Sequence, residues 1–237
     1  MPNLLEDAIA ETFQIMYYCS PHTWNMGFTR WMGVPCYQVP LDMWVLQEIV
    51  FETKPTLIIE TGSAYGGSAL FFATLFDQMK EGEIISIDMQ KGFKPVVDHK
   101  RVTFIKGMST ESKVVRRIKQ RIRYHKKVMV LLDSDHSTKN VLAELRIYGQ
   151  FVTPGCYMAV HDTLLKGQPY VDQSHGNAGE AVQLFLKEND QFDPDKSKEK
   201  FYLTFMPGGF LYKKSPNIEL TSQGGNGGRR DRCHGIT

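Results

Sequence analysis

Residues 57–67 read LIIETGSAYGG, an apolar run that closes on a carboxylate and passes directly into a glycine-rich turn. Leu57, Ile58 and Ile59 are apolar whichever way they point, which suits a strand covered on both faces, as in a parallel sheet. Gly62, Gly66 and Gly67 allow close backbone approach to a ligand before a helix that begins near Ser68. In an open α/β sheet, ligands bind beyond the carboxyl ends of the strands, so this turn lies where chemistry is expected. The spacing is neither the G-x-G-x-x-G of dinucleotide enzymes nor a phosphate-binding loop with Lys-Ser/Thr. A cofactor without a pyrophosphate fits best.

The run Glu83 to Asp88 (EIISID) is a second short apolar segment ending in an acid, one helix and one strand beyond Glu60. Asp88 is then expected at the tip of the neighbouring strand, where a carboxylate accepts both hydroxyls of a ribose and repels free phosphate. S-adenosylmethionine (SAM), or another adenosyl ligand, fits that pair of acids, with Glu60 helping to place the cationic methionine end. Either acid alone equally suits the capping of a solvated strand end.

Helical spacing of apolar residues predicts two helices ahead of the sheet, over Leu4 to Tyr18 and Leu41 to Glu52. The core is expected to continue with a helix from Ser68 to Gln78 and strands over Glu83 to Ile87 and Val102 to Lys106. A basic helix then runs from Ser112 to Ile122, its charges on a solvated face. The run VMVLLD (Val128 to Asp133) is a buried strand, followed by a helix from Ser137 to Tyr148. A further strand spans Gly155 to His161, and a last helix Gly179 to Glu188. Phe201 to Phe205 and Phe210 to Lys213 flank a Pro-Gly-Gly turn and read as an antiparallel pair closing the sheet. Beyond Ser215 the chain is polar and glycine-rich and cannot build a core. Three parts follow: a helical extension over 1–55, a Rossmann-like core over 56–215, and a polar tail over 216–237, in which Arg229, Arg230 and Arg232 read as solvated.

Chemistry concentrates at two strand ends. Asp133-Ser134-Asp135-His136 follows one strand and His161-Asp162 the next, so both are expected to face the crevice of the glycine turn. Asp133 and Asp162 supply hard oxygens suited to Mg²⁺; adding His161 would admit Mn²⁺, Fe²⁺ or Zn²⁺. Asp135 reads as an N-cap for the following helix. His136 is the natural general base, since an imidazole changes charge near neutrality and a metal eases deprotonation of a bound hydroxyl. His22, His99, His125, His175 and His234 lack ligand patterns and read as surface or packing residues.

The balance of 28 basic against 26 acidic residues, a net charge of +2, offers no global attraction for nucleic acid or anionic membrane. Cys19, Cys36, Cys156 and Cys233 are scattered with no C-x-x-C pair, which points to free thiols in a reducing compartment. No apolar run reaches membrane-spanning length and no signal core opens the chain, so a cytoplasmic location is expected. Trp24, Phe28, Trp31 and Tyr37 form a poorly periodic aromatic stretch suited to an interface or a lid.

The blocks WMGVP from Trp31, PLDMW from Pro40, IIETGSAYGGSALF, VMVLLDSDHS, VLAELRIYGQFVTPGCYMAVHDT and KFYLTFMPGGFLYKK resemble the cephalosporin hydroxylase / rhamnosyl O-methyltransferase family from about Trp31 to Lys213. Members of that family are similar to SAM-dependent, divalent-metal-assisted O-methyltransferases. The resemblance implies a Rossmann-like methyltransferase fold, a mostly parallel sheet with an antiparallel C-terminal hairpin, and a homo-oligomer. It places Glu60, Gly62, Ser63, Gly66, Gly67 and Ser68 around the methionine part of SAM, Asp88 at the ribose, and Gly107 with Ser109 near the adenine. It makes Asp133 a metal ligand that also borders the cofactor, and His136 the base. The family's V-E-D reads V-H-D here, so Asp162 carries over directly and His161 is a departure that alters metal preference. A second departure is HGNAGEAV from His175, where relatives carry a Gly-Pro-Gly-Pro run.

The expected activity is methyl transfer from SAM to a hydroxyl of a sugar-containing or other specialised small molecule. Two rivals remain: an Fe²⁺ hydroxylase using a His and carboxylate facial triad, and a SAM-binding protein without turnover. The acceptor's identity is not written in any motif of the chain.

Overall fold

The computed structural model describes residues 4–19, 29–89, 94–164 and 176–215. Expectations that concern His22, Trp24, Phe28, His175, Cys233, His234 and the polar tail with its arginines lie outside the described residues, as does the stretch 165–175.

The chain begins with α1 (Leu4–Cys19), a two-stranded ribbon of β1 (Arg30–Trp31) and β2 (Val34–Pro35), and α2 (Pro40–Thr53). Pro40 opens α2, a position where its missing N–H costs nothing. The core follows as β3 (Leu57–Thr61), α3 (Gly67–Met79), β4 (Glu83–Asp88), β5 (Val102–Lys106) and α4 (Ser112–Ile122). It continues with β6 (Val128–Leu132), α5 (Thr138–Tyr148), β7 (Tyr157–Val160), α6 (Ala178–Glu188), β8 (Phe192–Pro194) and β9 (Phe210–Lys213).

Seven strands form one sheet in the order β5-β4-β3-β6-β7-β9-β8. β3 to β7 are parallel, and β9 runs antiparallel to both β7 and β8. After β3 the chain builds outward through β4 and β5, then crosses to the other side of β3 to begin β6. The topological switch point therefore lies between the carboxyl ends of β3 and β6.

Strand alternation divides the core in two. Leu57, Ile59, Ile85, Ile87, Val128, Val130, Leu132, Met158 and Val160 point to one face, where they meet Val114 and Ile118 of α4, Val141 and Leu145 of α5, and Phe185 of α6. Ile58, Ile84, Met129, Leu131 and Ala159 point to the other, against Leu46 and Ile49 of α2 and Phe72 and Phe76 of α3. The basic helix α4 buries only Val114 and Ile118, so its charges face solvent as expected. Cys36 and Cys156 are free and buried.

Two expectations are corrected. Phe201 to Phe205 is not a strand; the antiparallel partner of β9 is β8, from Phe192 to Pro194. The Phe205 amide instead donates to Asp42 Oδ2 at 2.9 Å, and the Thr204 hydroxyl to Asp42 Oδ1 at 2.6 Å, so this segment is bound to α2 rather than to a ladder. Asp135 does not cap α5. Ser137 is the N-cap, accepting from the Asn140 amide, while Asp135, two residues earlier, accepts from the Ser137 amide.

Leu131 is completely buried at the centre of the α2/α3 face. Leu131→Ala is expected to lower unfolding free energy by about 2–5 kcal/mol in urea titration. Leu5→Ala on α1, whose side chain is 65% exposed, is expected to change it by no more than about 0.5 kcal/mol.

Candidate active site

A cavity of about 500 Å³ opens beyond the carboxyl ends of β3, β4, β6 and β7. Of the residues expected in the site, Gly62, Asp88, Gly107, Ser109, Asp133, His136 and Asp162 line it. Glu60, Ser63, Gly66, Gly67, Ser68 and His161 do not.

Gly62 leaves β3 with φ +88°, and a Cβ there would fall 1.8 Å from the Asp133 carbonyl oxygen. Only glycine lets the two strand ends meet, and the Asp133 amide donates to the Thr61 carbonyl at 3.0 Å. Gly67 answers a different demand: the Pro35 carbonyl and Cys36 cross the first turn of α3, and a Cβ would stand 2.3 Å from that carbonyl. It seats the N-terminal ribbon rather than the cavity.

Glu60 is fully buried. Alternation turns it to the α2/α3 face with Ile58, where the Ser68 and Ser86 hydroxyls donate to its two oxygens. Burial outweighs these donors and pushes its pKa up to about 7. Ser63 joins the same group through a 2.6 Å hydroxyl contact with Ser86.

Asp88 lies at the tip of β4. Its Oδ2 accepts from the Ser63 and Ala64 amides at 2.9 and 3.0 Å, so the carboxylate fixes the glycine turn as well as lining the cavity. The Gly107 amide donates to the Asp88 carbonyl at 2.9 Å, and the Tyr148 hydroxyl to the Ser109 carbonyl at 2.7 Å, which brings the end of β5 to the same wall.

Asp133, His136 and Asp162 form the chemical centre. Each offers one ligand atom, and these three atoms lie within 4.8 Å of one another. His136 Nε2 is 3.1 Å from Asp162 Oδ2. Asp162 takes a left-handed backbone, φ +56°, which aspartate tolerates better than most residues and which breaks the strand alternation after β7. His161, expected beside the two acids, stands outside the group. As the residue after Val160 it follows the alternation to the opposite face, and burial pushes its pKa down to about 4, leaving a neutral ring.

The donor set fits a cation. Burial and the neighbouring Asp162 and Glu60 push the Asp133 pKa well above the usual carboxylate range. Such a concentration of acids favours a bound positive charge, and two carboxylates with one imidazole provide oxygen-rich ligands.

Asn140, Glu144 and Gln38 escaped the sequence reading, and Tyr37 appears there only as part of an interface or a lid. Tyr37 and Asn140 line the cavity, and Asn140 Nδ2 donates to Ser134 Oγ and the Asp135 carbonyl, both at 3.1 Å. Glu144 is wholly buried on α5, accepts from Ser134 Oγ at 2.8 Å, and has its pKa raised by burial. Gln38 is buried and donates to Asp133 Oδ2 at 2.6 Å. Glu144 carried a signal, an acid on the apolar stripe of an amphipathic helix. Gln38 lies in an aperiodic stretch and carried none. Trp31, expected at an interface or lid, packs edge-on against Phe71 with centroids 4.8 Å apart. His99 and His125 hold the packing roles expected of them, against Asp77 and the Thr56 carbonyl.

Glu60 generates a pH prediction. Its folded-state pKa of about 7 lies above the unfolded value of 4.5, so its stabilising contribution is complete below pH 4.5 and is lost as pH rises to about 7. Glu60→Gln removes the titration. Relative to the variant, wild-type unfolding free energy is expected to fall by about 3 kcal/mol across that window in urea titrations of ligand-free protein.

The family model described as rhamnosyl O-methyltransferase/CmcI matches residues 23–214. A rhamnosyl O-methyltransferase of Mycobacterium leprae (strain TN) is 36% identical over 213 residues, covering 88% of this chain and 92% of that protein. One of Mycobacterium bovis (strain BCG / Pasteur 1173P2) is 33% identical over 214 residues, covering 87% and 86%. Among solved structures, "cmcI-D160 Mg-SAM" shares the fold with a TM-score of 0.61 at 18% identity, covering 81% of this chain and 79% of that one. The matched span takes in both the N-terminal ribbon and the last strand, and on it the chain belongs to the rhamnosyl O-methyltransferase/CmcI family.

Proposed function

We propose that the protein is a SAM-dependent O-methyltransferase that acts on a hydroxyl of a sugar-containing or related specialised small molecule, with a divalent cation, Mg²⁺, at its centre. One observation carries the reading: the Asp88 carboxylate and the Asp133–His136–Asp162 trio face the same 500 Å³ cavity at the switch point. Kinship with rhamnosyl O-methyltransferases supports a sugar hydroxyl as acceptor, and the Mg and SAM named for the CmcI structure support the cofactors.

When bound, SAM supplies the methyl group, and the cation supplies a Lewis acid that makes a hydroxyl easier to deprotonate. Asp88 accepts the ribose hydroxyls, Gly62 leaves room for the methionine part, and Gly107 and Ser109 border the adenine. Glu60, Ser63, Gly66, Gly67 and Ser68 support that binding from behind, by holding the turn and the start of α3. Asp133 and Asp162 hold the cation, with His161 buried behind them. His136 takes the acceptor's proton. Donation of its Nε2–H to Asp162 leaves the lone pair on Nδ1, and fixes the ring as a base needs.

The position of His136 inside the trio favours a second reading, in which it ligates the cation. Among the described residues His161 lies outside the group, which weighs against the iron facial triad that would use it. The division into extension, core and tail belongs to the same proposal, as do a cytoplasmic location and homo-oligomeric assembly. Buried free Cys36 and Cys156 support a reducing compartment. Trp44 and Phe51, both exposed and two turns apart on α2, support an assembly surface. No helix among the described residues is long and apolar enough to cross a membrane.

Asp88→Ala is expected to weaken SAM binding more than ten-fold, about 1.4 kcal/mol, in calorimetry; unchanged affinity in a folded variant would remove Asp88 from the site. Methyl transfer to a rhamnosyl acceptor is expected to stop when divalent ions are chelated and to return with Mg²⁺. His136→Ala is expected to lose roughly 10²- to 10⁴-fold in turnover while keeping its Mn²⁺ affinity. Loss of Mn²⁺ binding in that variant would make His136 a ligand instead.

A further inference from the structure

Gln38 stands apart from the other polar residues at the centre because it belongs to the N-terminal segment, 95 residues from its partner in sequence. The residue is 4% exposed, its Nε2 donates to Asp133 Oδ2 at 2.6 Å, and its Oε1 is buried with no hydrogen-bond partner among the described residues. An orphaned buried carbonyl is unfavourable, so the side chain is not held there by its own satisfaction. The contact with Asp133 alone dictates the direction of the amide, since turning it over would set a carbonyl oxygen against a carboxylate.

The backbone at this point is anchored from three sides. The Gln38 amide donates to the Cys36 carbonyl at 2.8 Å, and the Cys36 amide to the Thr29 carbonyl at 2.8 Å. The Tyr17 hydroxyl of α1 donates to the Gln38 carbonyl at 3.4 Å, and Pro40 opens α2 two residues later.

We propose that Gln38 is the positioning residue of the cation site: its amide holds one oxygen of Asp133 so that the carboxylate presents a fixed face to the ion. The choice of residue type follows from charge. A lysine or arginine here would neutralise Asp133 and compete with the cation, whereas a neutral amide fixes the rotamer and leaves the negative charge intact. The seating of the N-terminal segment and the affinity for the ion are thereby one property. This inference rests on the reading that Asp133 holds a divalent cation.

The test is calorimetric titration of Mn²⁺ alone into acceptor-free, SAM-free protein, for wild type and Gln38→Met, which keeps the length and apolar stem but donates nothing. S-adenosylhomocysteine affinity and the thermal midpoint are measured beside it. Mn²⁺ binding is expected to weaken about ten-fold or more, the scale for losing a hydrogen-bond partner of a metal ligand. Affinity for S-adenosylhomocysteine is expected to stay within about two-fold of wild type. Gln38→Asn, one methylene too short to reach Asp133, carries the same expectation and replaces Gln38→Met if that variant does not fold. Unchanged Mn²⁺ affinity would overturn the role of Gln38 and leave the cation site standing, as would an equal loss of both ligands, which marks a merely structural residue. Failure of wild type to bind Mn²⁺ would overturn the cation reading and this inference with it.

Discussion

The contact between the ends of β3 and β6 governs everything around it. With no side chain at Gly62, the two strands close to the point where the Asp133 carbonyl occupies the space a Cβ would need. That closeness sets the position of the Asp133 side chain, which in turn sets where a second acid can meet it. Asp162 arrives from β7 only because its backbone turns left-handed and swings the carboxylate away from the face that the strand's alternation would give it. One missing methyl group and one unusual dihedral angle thus put two acids from separate strands into a single group with His136.

Such a group is unfavourable in an empty protein. Asp133 and Glu60 both hold their protons more tightly than in water, and Glu144 behind them does the same. The surroundings answer with neutral donors rather than with cationic side chains: Ser68 and Ser86 on Glu60, Ser134 on Glu144, Gln38 on Asp133. Neutral donors orient the acids without cancelling them. A site arranged in this way keeps its negative potential for something that comes from outside.

The parallel strands were legible because burial on both faces leaves continuous apolar runs, and the helices because their apolar residues recur at 3.6-residue spacing. The acids at strand ends followed from topology, since β3, β4, β6 and β7 all deliver their last residue to one edge. Direction was harder. Glu60 was read as facing the ligand, yet it shares its parity with Ile58 and so enters the core beside Ser68 and Ser86. His161, expected as a ligand on the same reasoning, lies outside the Asp133–His136–Asp162 group for the same cause. β8 was missed because three residues carry no periodic signal, and Phe201 to Phe205 imitated a strand while its polar groups were spoken for by Asp42. Gln38 was beyond reach: a contact across 95 residues leaves no trace in local spacing.

The order β7-β9-β8 has a consequence for how the chain comes to its final state. β8 precedes β9 in sequence but reaches the sheet only through it, because β9 is inserted between β7 and β8. During synthesis β7 must wait, with one edge open, until residue 213 is available, and β8 has nothing to pair with before then. The sheet is closed by a strand that ends at Lys213, through contacts of long sequence separation that form slowly. A ribosome that stalls before Phe210 would leave an exposed edge on β7, next to the strand end that carries Asp162, so premature termination produces an aggregation-prone fragment rather than a smaller enzyme.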